Sequence, residues 1–210
     1  MSGEGGYSPE AELSQSELET PKSFEEVDQI IKNNAVTLLS NDTDGHALSF
    51  LTDQLKRPTP PDFSTLVIGD LLESQVNEFL KTGNFKVDAK TDESTYAYYS
   101  GLKDLMEKYK AKGVKLVGAY PTPASRGDIL RNRTTKSPGL YDPTNPESRR
   151  NFVAEKIARN YKQGDKVVGL ITGMSLDEKT SIPSLLKEML PDNQVQAVKV
   201  GSNTPAAMAA

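Results

Sequence analysis

Five short apolar runs constrain the fold of this chain more than any other feature of its sequence. Each is five to seven residues long, rich in β-branched residues and bounded by polar or turn-forming residues, which is typical of buried strands. Segments with the spacing of amphipathic helices separate the runs. This alternation predicts a single α/β domain with a mainly parallel central sheet of about five strands flanked by helices. The runs are AVTLLS (35–40), TLVIG (65–69), VKLVGAY (114–120), KVVGLIT (166–172) and VQAVKV (195–200).

The predicted helices begin and end at residues suited to those positions. Ser23 and Glu26 have the spacing of a capping box at the start of the first helix. Gly83 and Gly113 follow two later helices, and Pro146 suits the first position of another. The helices after the first are predicted at 46–55, 71–83, 94–112, from 146 onward, and 181–190.

The length of 210 residues suits one domain with short tails. We assign the α/β domain to 23–201, a flexible polar leader to 1–22 and a loose tail to 202–210. The leader carries five glutamates and no basic residue before Lys22. Its polar, serine-rich composition fits a disordered tail, and it also fits the secretion leader of a syringe-type bacterial apparatus.

The composition excludes several classes of function. The chain has no cysteine, which excludes disulfides, thiolate catalysis and cysteine-ligated metals, and its single histidine excludes a multi-histidine zinc site. The net charge of −4 gives no general reason to bind nucleic acid or an anionic membrane. No stretch approaches the roughly 18 apolar residues of a membrane span, and the N-terminus lacks the apolar core of a signal peptide. We therefore expect a soluble protein that acts on a small molecule or another protein.

Polar side chains follow four of the predicted strands at their carboxyl ends. In open α/β sheets the ligand cleft lies at this edge, so residues from different strands can converge there. The set combines acids, one imidazole and several guanidiniums. It consists of Asn41, Asp42, Asp44 and His46 after the first strand, Asp70 and Glu73 after the second, Tyr120, Arg126, Asp128, Arg131 and Arg133 after the third, and Ser175 and Asp177 after the fourth.

His46 is the only histidine of the chain, and its position leaves three interpretations open. Beside carboxylates it can be a general base whose tautomer an aspartate fixes. It can also ligate iron or haem. The third interpretation is a histidine in the first turn of a helix that Asp44 caps. Asp42 and Asp44 alternate as in a calcium loop, but the full loop spacing with a terminal glutamate is missing, so we expect no metal site there.

The arginines are unevenly spread along the chain. Six of the seven lie between 126 and 159, whereas lysine predominates elsewhere. Guanidinium groups are favoured where two hydrogen bonds hold a carboxylate or phosphate. One interpretation is that Arg126, Arg131 or Arg150 contacts an anionic ligand. The other is that these arginines pair with acids of the chain, such as Asp128 and Glu155.

Over about residues 35–200 the segments resemble the superfamily of ChaN-like haem-binding proteins and erythromycin-esterase-like hydrolases, with TraB-type proteins as relatives. VTLLSNDTDGHALSFL is similar to the group's opening strand. LVIGDLLESQ is similar to its second strand, which an acid closes, and Asp70 takes that place. ESRRNFVAEKIARNYKQGDKVVGLITGMS resembles the closing pattern, in which Arg150 and Asn151 match an Arg-Asn pair.

This resemblance implies a hydrolase-like cleft with altered chemistry. The group's Gly-Glu-x-His signature stands here as Ser-Asn-Asp-Thr (40–43), and Ser175 or Leu176 holds the place of a later histidine. The resemblance assigns catalytic roles to three residues of this chain. Asp70 is the acid, His46 is the base or a substrate contact, and Arg150 binds an anion. Further contacts are expected from Arg126, Arg131, Tyr120 and Asn41. We expect no cofactor; the haem alternative would need His46 or a tyrosine such as Tyr120 as the iron ligand.

The compact size, polar leader and lack of cysteine also resemble the HopBA family, whose members are injected into plant cells by bacterial type III secretion. This resemblance implies delivery to the host cytoplasm and a host response such as cell death. The alternative location is the bacterial cytoplasm. The target would be a small molecule or a host protein, with host immune components as further partners. A third hypothesis is a catalytically inactive scaffold that host partners recognise through its surface.

Overall fold

The structure is a computed structural model that describes residues 20–41, 45–86, 93–120, 146–172 and 181–202. Five strands form one sheet in the order β3-β2-β4-β1-β5, and every neighbouring pair is parallel. The predicted parallel α/β sheet is thus confirmed. The strands are β1 (Val36–Asn41), β2 (Thr65–Leu72), β3 (Lys115–Tyr120), β4 (Val167–Thr172) and β5 (Val195–Lys199).

Six helices pack around the sheet in the described ranges, at the places where the sequence predicts helices. Among these helices, none is both long enough and apolar enough to span a lipid bilayer. They are α1 (Phe24–Asn33), α2 (His46–Gln54), α3 (Glu73–Thr82), α4 (Glu93–Ala111), α5 (Pro146–Asn160) and α6 (Ile182–Met189).

The sheet is covered on both faces, and each face has its own apolar core. On one face α1 to α4 pack on the sheet, with Phe50 of α2 and Leu39 of β1 in the same cluster. On the other face α5 and α6 contribute Ile157 and Leu186, which pack with Leu38. Successive residues of β1 therefore point to opposite cores, as the period of a strand requires. Burial on both faces explains why the strands appear in the sequence as continuous apolar runs.

The outer edge of β5 is paired with the residues that precede α1. Lys22 forms a parallel bridge with Val200. The amide of Lys22 donates to the carbonyl of Lys199 at 2.9 Å, and the amide of Gly201 donates to the carbonyl of Lys22 at 2.8 Å. These bonds cover part of an exposed sheet edge. They also join the beginning of the domain to its end, at the carboxyl edge of the sheet.

β2 is longer than predicted because it contains a bulge near its carboxyl end. Ile68 pairs with Gly118 and Leu72 pairs with Tyr120, so three residues of β2 lie opposite Ala119 alone. The strand therefore runs through Asp70 to Leu72, where the sequence predicted a strand end at Gly69 and a helix from Leu71. The apolar spacing of LLESQVNEFL fits a helix, and pairing with β3 is a tertiary contact that this spacing does not reveal.

The helix caps agree with the sequence at α1 and α3 and differ at α2. In α1 the amide of Glu26 donates to the Ser23 hydroxyl at 3.3 Å, and the amide of Ser23 donates to the Glu26 carboxylate at 2.8 Å. Gly83 closes α3 with a φ of 75°, a left-handed conformation that favours glycine. At α2 the cap residue is Gly45, with no side-chain cap bond. Asp44, which the sequence suggested for this place, lies outside the described residues.

Asp28 of α1 is buried and forms ion pairs with two partly exposed cations, which should make the stability of the protein depend on pH. Its Oδ2 accepts from Arg57 Nη1 at 2.6 Å and from Lys32 Nζ at 3.3 Å. Burial by itself raises the pKa of Asp28, but the hydrogen bonds and charges of Arg57 and Lys32 outweigh it and lower the pKa overall. The pair should therefore stabilise the folded state above the ordinary aspartate pKa of about 4, and this stabilisation should be lost as the pH falls below that value.

Urea unfolding of the wild type and Asp28→Asn measures this effect. The free energy of unfolding of the two proteins should differ more at about pH 6 than at about pH 3, because protonation removes the carboxylate from the wild type as well. An equal difference at both pH values would contradict the role assigned to the Asp28 charge.

Candidate functional site

Asp70 lies at the carboxyl edge of the sheet, within the bulge of β2. Its carboxylate accepts a hydrogen bond from the hydroxyl of Tyr98 on α4 at 2.7 Å and another from the hydroxyl of Thr172 at the end of β4 at 2.5 Å. Three separate parts of the chain thus meet at one acid. Bulges often re-aim side chains beside functional sites, and this one places Asp70 between its two donors.

Both hydroxyl groups bind the same oxygen of Asp70, which is Oδ2. A carboxylate has about four acceptor positions on its two oxygens, so Oδ1 is left unused by either hydroxyl. The side chain is half-buried. Its orientation is therefore fixed by two donors, while one oxygen can still accept a proton or a hydrogen bond from water or from a ligand.

Two tyrosines of α4 lie around this carboxylate. Burial raises the pKa of Tyr98, and the charge of Asp70 and the hydrogen bond to it raise it further. Burial also raises the pKa of Tyr99, with smaller contributions from Asp70 and Tyr120. Both phenols therefore remain protonated at neutral pH and can donate hydrogen bonds. The rings of Tyr98 and Tyr99 stand edge to face, with centroids 5.5 Å apart.

A second polar group lies on the neighbouring strand, where Tyr120 ends β3. The guanidinium of Arg149 on α5 stands over the Tyr120 ring, with Cζ 5.2 Å from the ring centroid. Such a cation–π contact is worth about 0.5–2 kcal/mol and holds the guanidinium in place. Because β2 and β3 are adjacent, this pair lies one strand away from Asp70.

An ion pair connects α5 to the segment that follows Asp70. Lys156 Nζ of α5 lies 2.5 Å from Glu73 Oε2, at the first residue of α3. Glu73 is exposed, so this pair contributes modestly to stability. The pair joins α5, the helix that carries Arg149, to the segment that follows β2.

His46 is the first residue of α2, which follows β1. β4 lies between β1 and β2, so the strands that lead to His46 and Asp70 are two strand spacings apart, about 10 Å. The donors to Asp70 among the described residues are Tyr98 and Thr172, not His46. The structure therefore does not bring His46 and Asp70 together as a bonded acid–base pair, and a catalytic role for either stays a prediction.

The remaining predicted site residues are distributed as follows. Arg150 is half-buried on α5, directly after Arg149. Asn41 ends β1, where its backbone is in register with Thr172, and its side chain lies outside what the structure describes. Arg126 and Arg131 lie outside the described residues.

His46 and Tyr120, the two side chains suggested as haem ligands, lie at separate parts of the carboxyl edge of the sheet. His46 follows β1 and Tyr120 ends β3, with β4 and β2 between these strands. Within the described ranges, no three histidine, aspartate or glutamate side chains form a group that could hold a metal ion. Haem binding remains an expectation from the sequence resemblance alone.

Sequence reasoning overlooked four side chains of this edge. Tyr98 and Tyr99 belong to the run TYAYY (95–99), whose density of aromatic residues at the start of a helix was the available signal. Arg149 was part of the arginine-rich region but was not singled out. Thr172 is an ordinary strand residue in the sequence, and only the adjacency of β4 and β2 brings it to Asp70.

No family model matches the sequence, and no curated protein matches it. The solved structures that the chain is similar to include the following two. One, described as "Bacterial protein toxins", has a TM-score of 0.49 at 17% identity over 87% of this chain and 37% of that chain. The other is the type III effector HopBA1, with a TM-score of 0.46 at 6% identity over 86% of this chain and 96% of that one.

The chain thus spans 37% of the length of the toxin structure. Both TM-scores lie below 0.5, so neither likeness assigns a family or an activity to this chain. Membership of the ChaN-like and erythromycin-esterase-like group, and of the HopBA family, stays a prediction from the sequence.

Proposed function

We propose that the chain is a type III effector-like bacterial protein that acts inside a host plant cell and carries a hydrolase-like site centred on Asp70. The observation that carries the enzymatic part is the carboxylate of Asp70 in the β2 bulge. Tyr98 and Thr172 hold it through Oδ2, and neither uses Oδ1. A fixed carboxylate with one available oxygen, at the edge where α/β folds bind ligands, is suited to general-base chemistry.

In the proposed reaction, Oδ1 of Asp70 takes a proton from a water molecule, and the oxygen of that water attacks the electrophilic carbon or phosphorus of the substrate. The bond from that atom to the leaving group breaks, and the proton on Asp70 passes to the leaving group or to solvent, which restores the carboxylate. Tyr98 and Thr172 keep the carboxylate oriented and offset part of its charge. The negative charge that develops on the substrate would be stabilised by the guanidiniums of α5, Arg149 and Arg150. His46 would contact the substrate or act as a second base. The step as proposed needs no cofactor.

The effector part of the proposal rests on the sequence. It is supported by the compact size, the absence of cysteine and the polar, serine-rich residues 1–22, which resemble the HopBA family. These features also support delivery by a type III system and a host response such as cell death. The target is a small molecule or a host protein, which the chemistry at Asp70 would modify.

Asp70→Asn is the variant that tests the proposal. Asparagine keeps the size of the side chain and can still accept the two hydroxyl hydrogen bonds, but it cannot take a proton from water. Loss of a general base typically lowers a rate by about 10²–10⁴-fold. We expect the wild type to cause ion leakage when produced in leaf tissue, and Asp70→Asn to cause none. Purified wild type should hydrolyse p-nitrophenyl acetate or p-nitrophenyl phosphate, and the variant should lose that activity.

Asp104→Asn is the matched control, because Asp104 is an exposed acid on α4 away from this edge. It should behave as the wild type in both assays. Circular dichroism and urea unfolding should show that Asp70→Asn is folded. A folded Asp70→Asn with full activity in leaf tissue would refute the hydrolase-like site, and a response abolished only by surface substitutions would favour the scaffold hypothesis. No response to the wild type would refute the effector part.

A further inference from the structure

Arg149 differs from the other arginines whose contacts the structure gives. Arg57 pairs with Asp28 at 2.6 Å, and Arg159 pairs with Glu155 at 2.9 Å. Arg149 instead places its guanidinium over the ring of Tyr120. Among the described residues, no carboxylate lies within ion-pair distance of Arg149. Its charge is thus held in position by an aromatic ring and is not neutralised by those acids.

This arrangement suits the binding of an anion. A guanidinium held over an aromatic face without an acid partner keeps N–H donors that can hold a phosphate or carboxylate through two hydrogen bonds. Contact with the ring restricts the side chain before any ligand arrives, which lowers the entropic cost of binding. Arg149 also lies near the N-terminal end of α5, where the helix dipole favours negative charge.

Asp70, on the neighbouring strand, favours a different kind of ligand group from the anion that Arg149 favours. Its carboxylate repels an anion and favours a ligand group that donates a hydrogen bond, such as a hydroxyl. β2 and β3 are neighbouring strands, about 5 Å apart, so one ligand at this edge can reach groups on both strands. The rings of Tyr98, Tyr99 and Tyr120 lie at the same edge and can contact the apolar side of such a molecule.

We infer that this edge binds a small ligand that carries a hydroxyl group together with a phosphate or carboxylate, the anion on Arg149 and the hydroxyl on Oδ1 of Asp70. This inference rests on the proposed function, because it names the class of substrate for the same site. A sugar phosphate and a sugar acid share the required chemistry, and the choice of probes separates them.

Isothermal titration of the full chain with ribose 5-phosphate, ribose, inorganic phosphate and gluconate tests the inference. Ribose 5-phosphate or gluconate should bind at least about tenfold more tightly than either ribose or inorganic phosphate. The reason is that ribose can bind only to Asp70 and inorganic phosphate can bind only to Arg149. A preference for ribose 5-phosphate indicates a phosphate ligand, and a preference for gluconate indicates a carboxylate ligand. Binding of neither, or binding no tighter than that of ribose and inorganic phosphate, overturns the inference.

Two pairs of variants test which residue binds the anionic group of the ligand and which binds its hydroxyl group. Arg149→Gln should weaken the binding of the preferred anion by about tenfold or more and leave the binding of ribose nearly unchanged. Arg159→Gln, on the exposed surface of the same helix, should change neither affinity. Asp70→Asn should weaken the binding of both ribose and the preferred anion more than Asp104→Asn does. Equal effects of Arg149→Gln and Arg159→Gln would overturn the role of Arg149.

These measurements separate the inference from the proposed function. Binding that follows the expected pattern without any Asp70-dependent hydrolysis would support the ligand class and refute the hydrolase-like reaction. Asp70-dependent hydrolysis of p-nitrophenyl acetate, with none of the four probes bound, would support the reaction and refute the ligand class.

Discussion

Gly118→Ala is expected to destabilise the protein by about 3 kcal/mol, at the upper end of the usual cost of overpacking. A Cβ at Gly118 would lie 2.5 Å from the carbonyl oxygen of Leu72, 2.7 Å from its carbonyl carbon and 2.8 Å from the carbonyl oxygen of Leu71. All three atoms are backbone, so no side-chain rotation can relieve the contact. The end of β2 would have to move away from β3, and the bulge that positions Asp70 would move with it. Urea unfolding measures the loss of stability.

Gly101→Ala is the control for this substitution. Gly101 lies within α4, and the nearest atom to a methyl group added there is Leu48 Cδ2 at 3.4 Å, the end of a flexible side chain. Alanine in a helix interior is more favourable than glycine by about 0.5–1 kcal/mol, so Gly101→Ala should be neutral or stabilising. If Gly118→Ala were as stable as Gly101→Ala, the close approach of Leu72 to Gly118 would be wrong.

Phe50→Ala is expected to cost about 3–5 kcal/mol, a large part of the stability of a domain of this size. Phe50 of α2 is completely buried and meets the ring of Phe24 on α1 edge to face, with centroids 5.3 Å apart. Its removal would leave a cavity between α1, α2 and the sheet. Thermal or urea unfolding should show the loss.

Tyr96→Ala is the matched aromatic substitution on the surface. The side chain of Tyr96 is 62% exposed, so its removal should change the stability by less than about 0.5 kcal/mol. Phe50→Leu, which keeps much of the apolar volume, should fall between the two. A cost for Phe50→Ala no larger than that for Tyr96→Ala would mean that α2 does not pack as described.

The sequence was sufficient to predict the sheet because the strands are largely buried on both faces and therefore appear as short runs in which apolar residues predominate. The bounds of β1, β3, β4 and β5 were predicted to within one residue. β2 was the exception. Beyond the bulge its last residue, Leu72, pairs with Tyr120 of β3, although the local sequence of 70–72 favours a helix, so only tertiary pairing decides the conformation of these residues.

The candidate site could be predicted in part. Asp70 and Tyr120 follow from the rule that ligand sites lie at the carboxyl ends of parallel strands. Their partners depend on the strand order, which the sequence does not specify. β4 is fourth in the chain but lies beside β2, and this adjacency brings Thr172 to Asp70. The same strand order places β4 between the strands leading to His46 and Asp70.

The bridge between Lys22 and Val200 determines how the domain would respond to a force applied at its N-terminal end. Such a force would first meet two backbone hydrogen bonds, each worth about 1 kcal/mol, and then the ten residues of α1. The next element is β1, which lies between β4 and β5. Extraction of β1 would separate β5 from the rest of the sheet. Unfolding from this end would therefore be opposed first by these two bonds, next by the packing of α1, whose Phe24, Val27 and Ile31 are buried in the core, and would then reach a central strand.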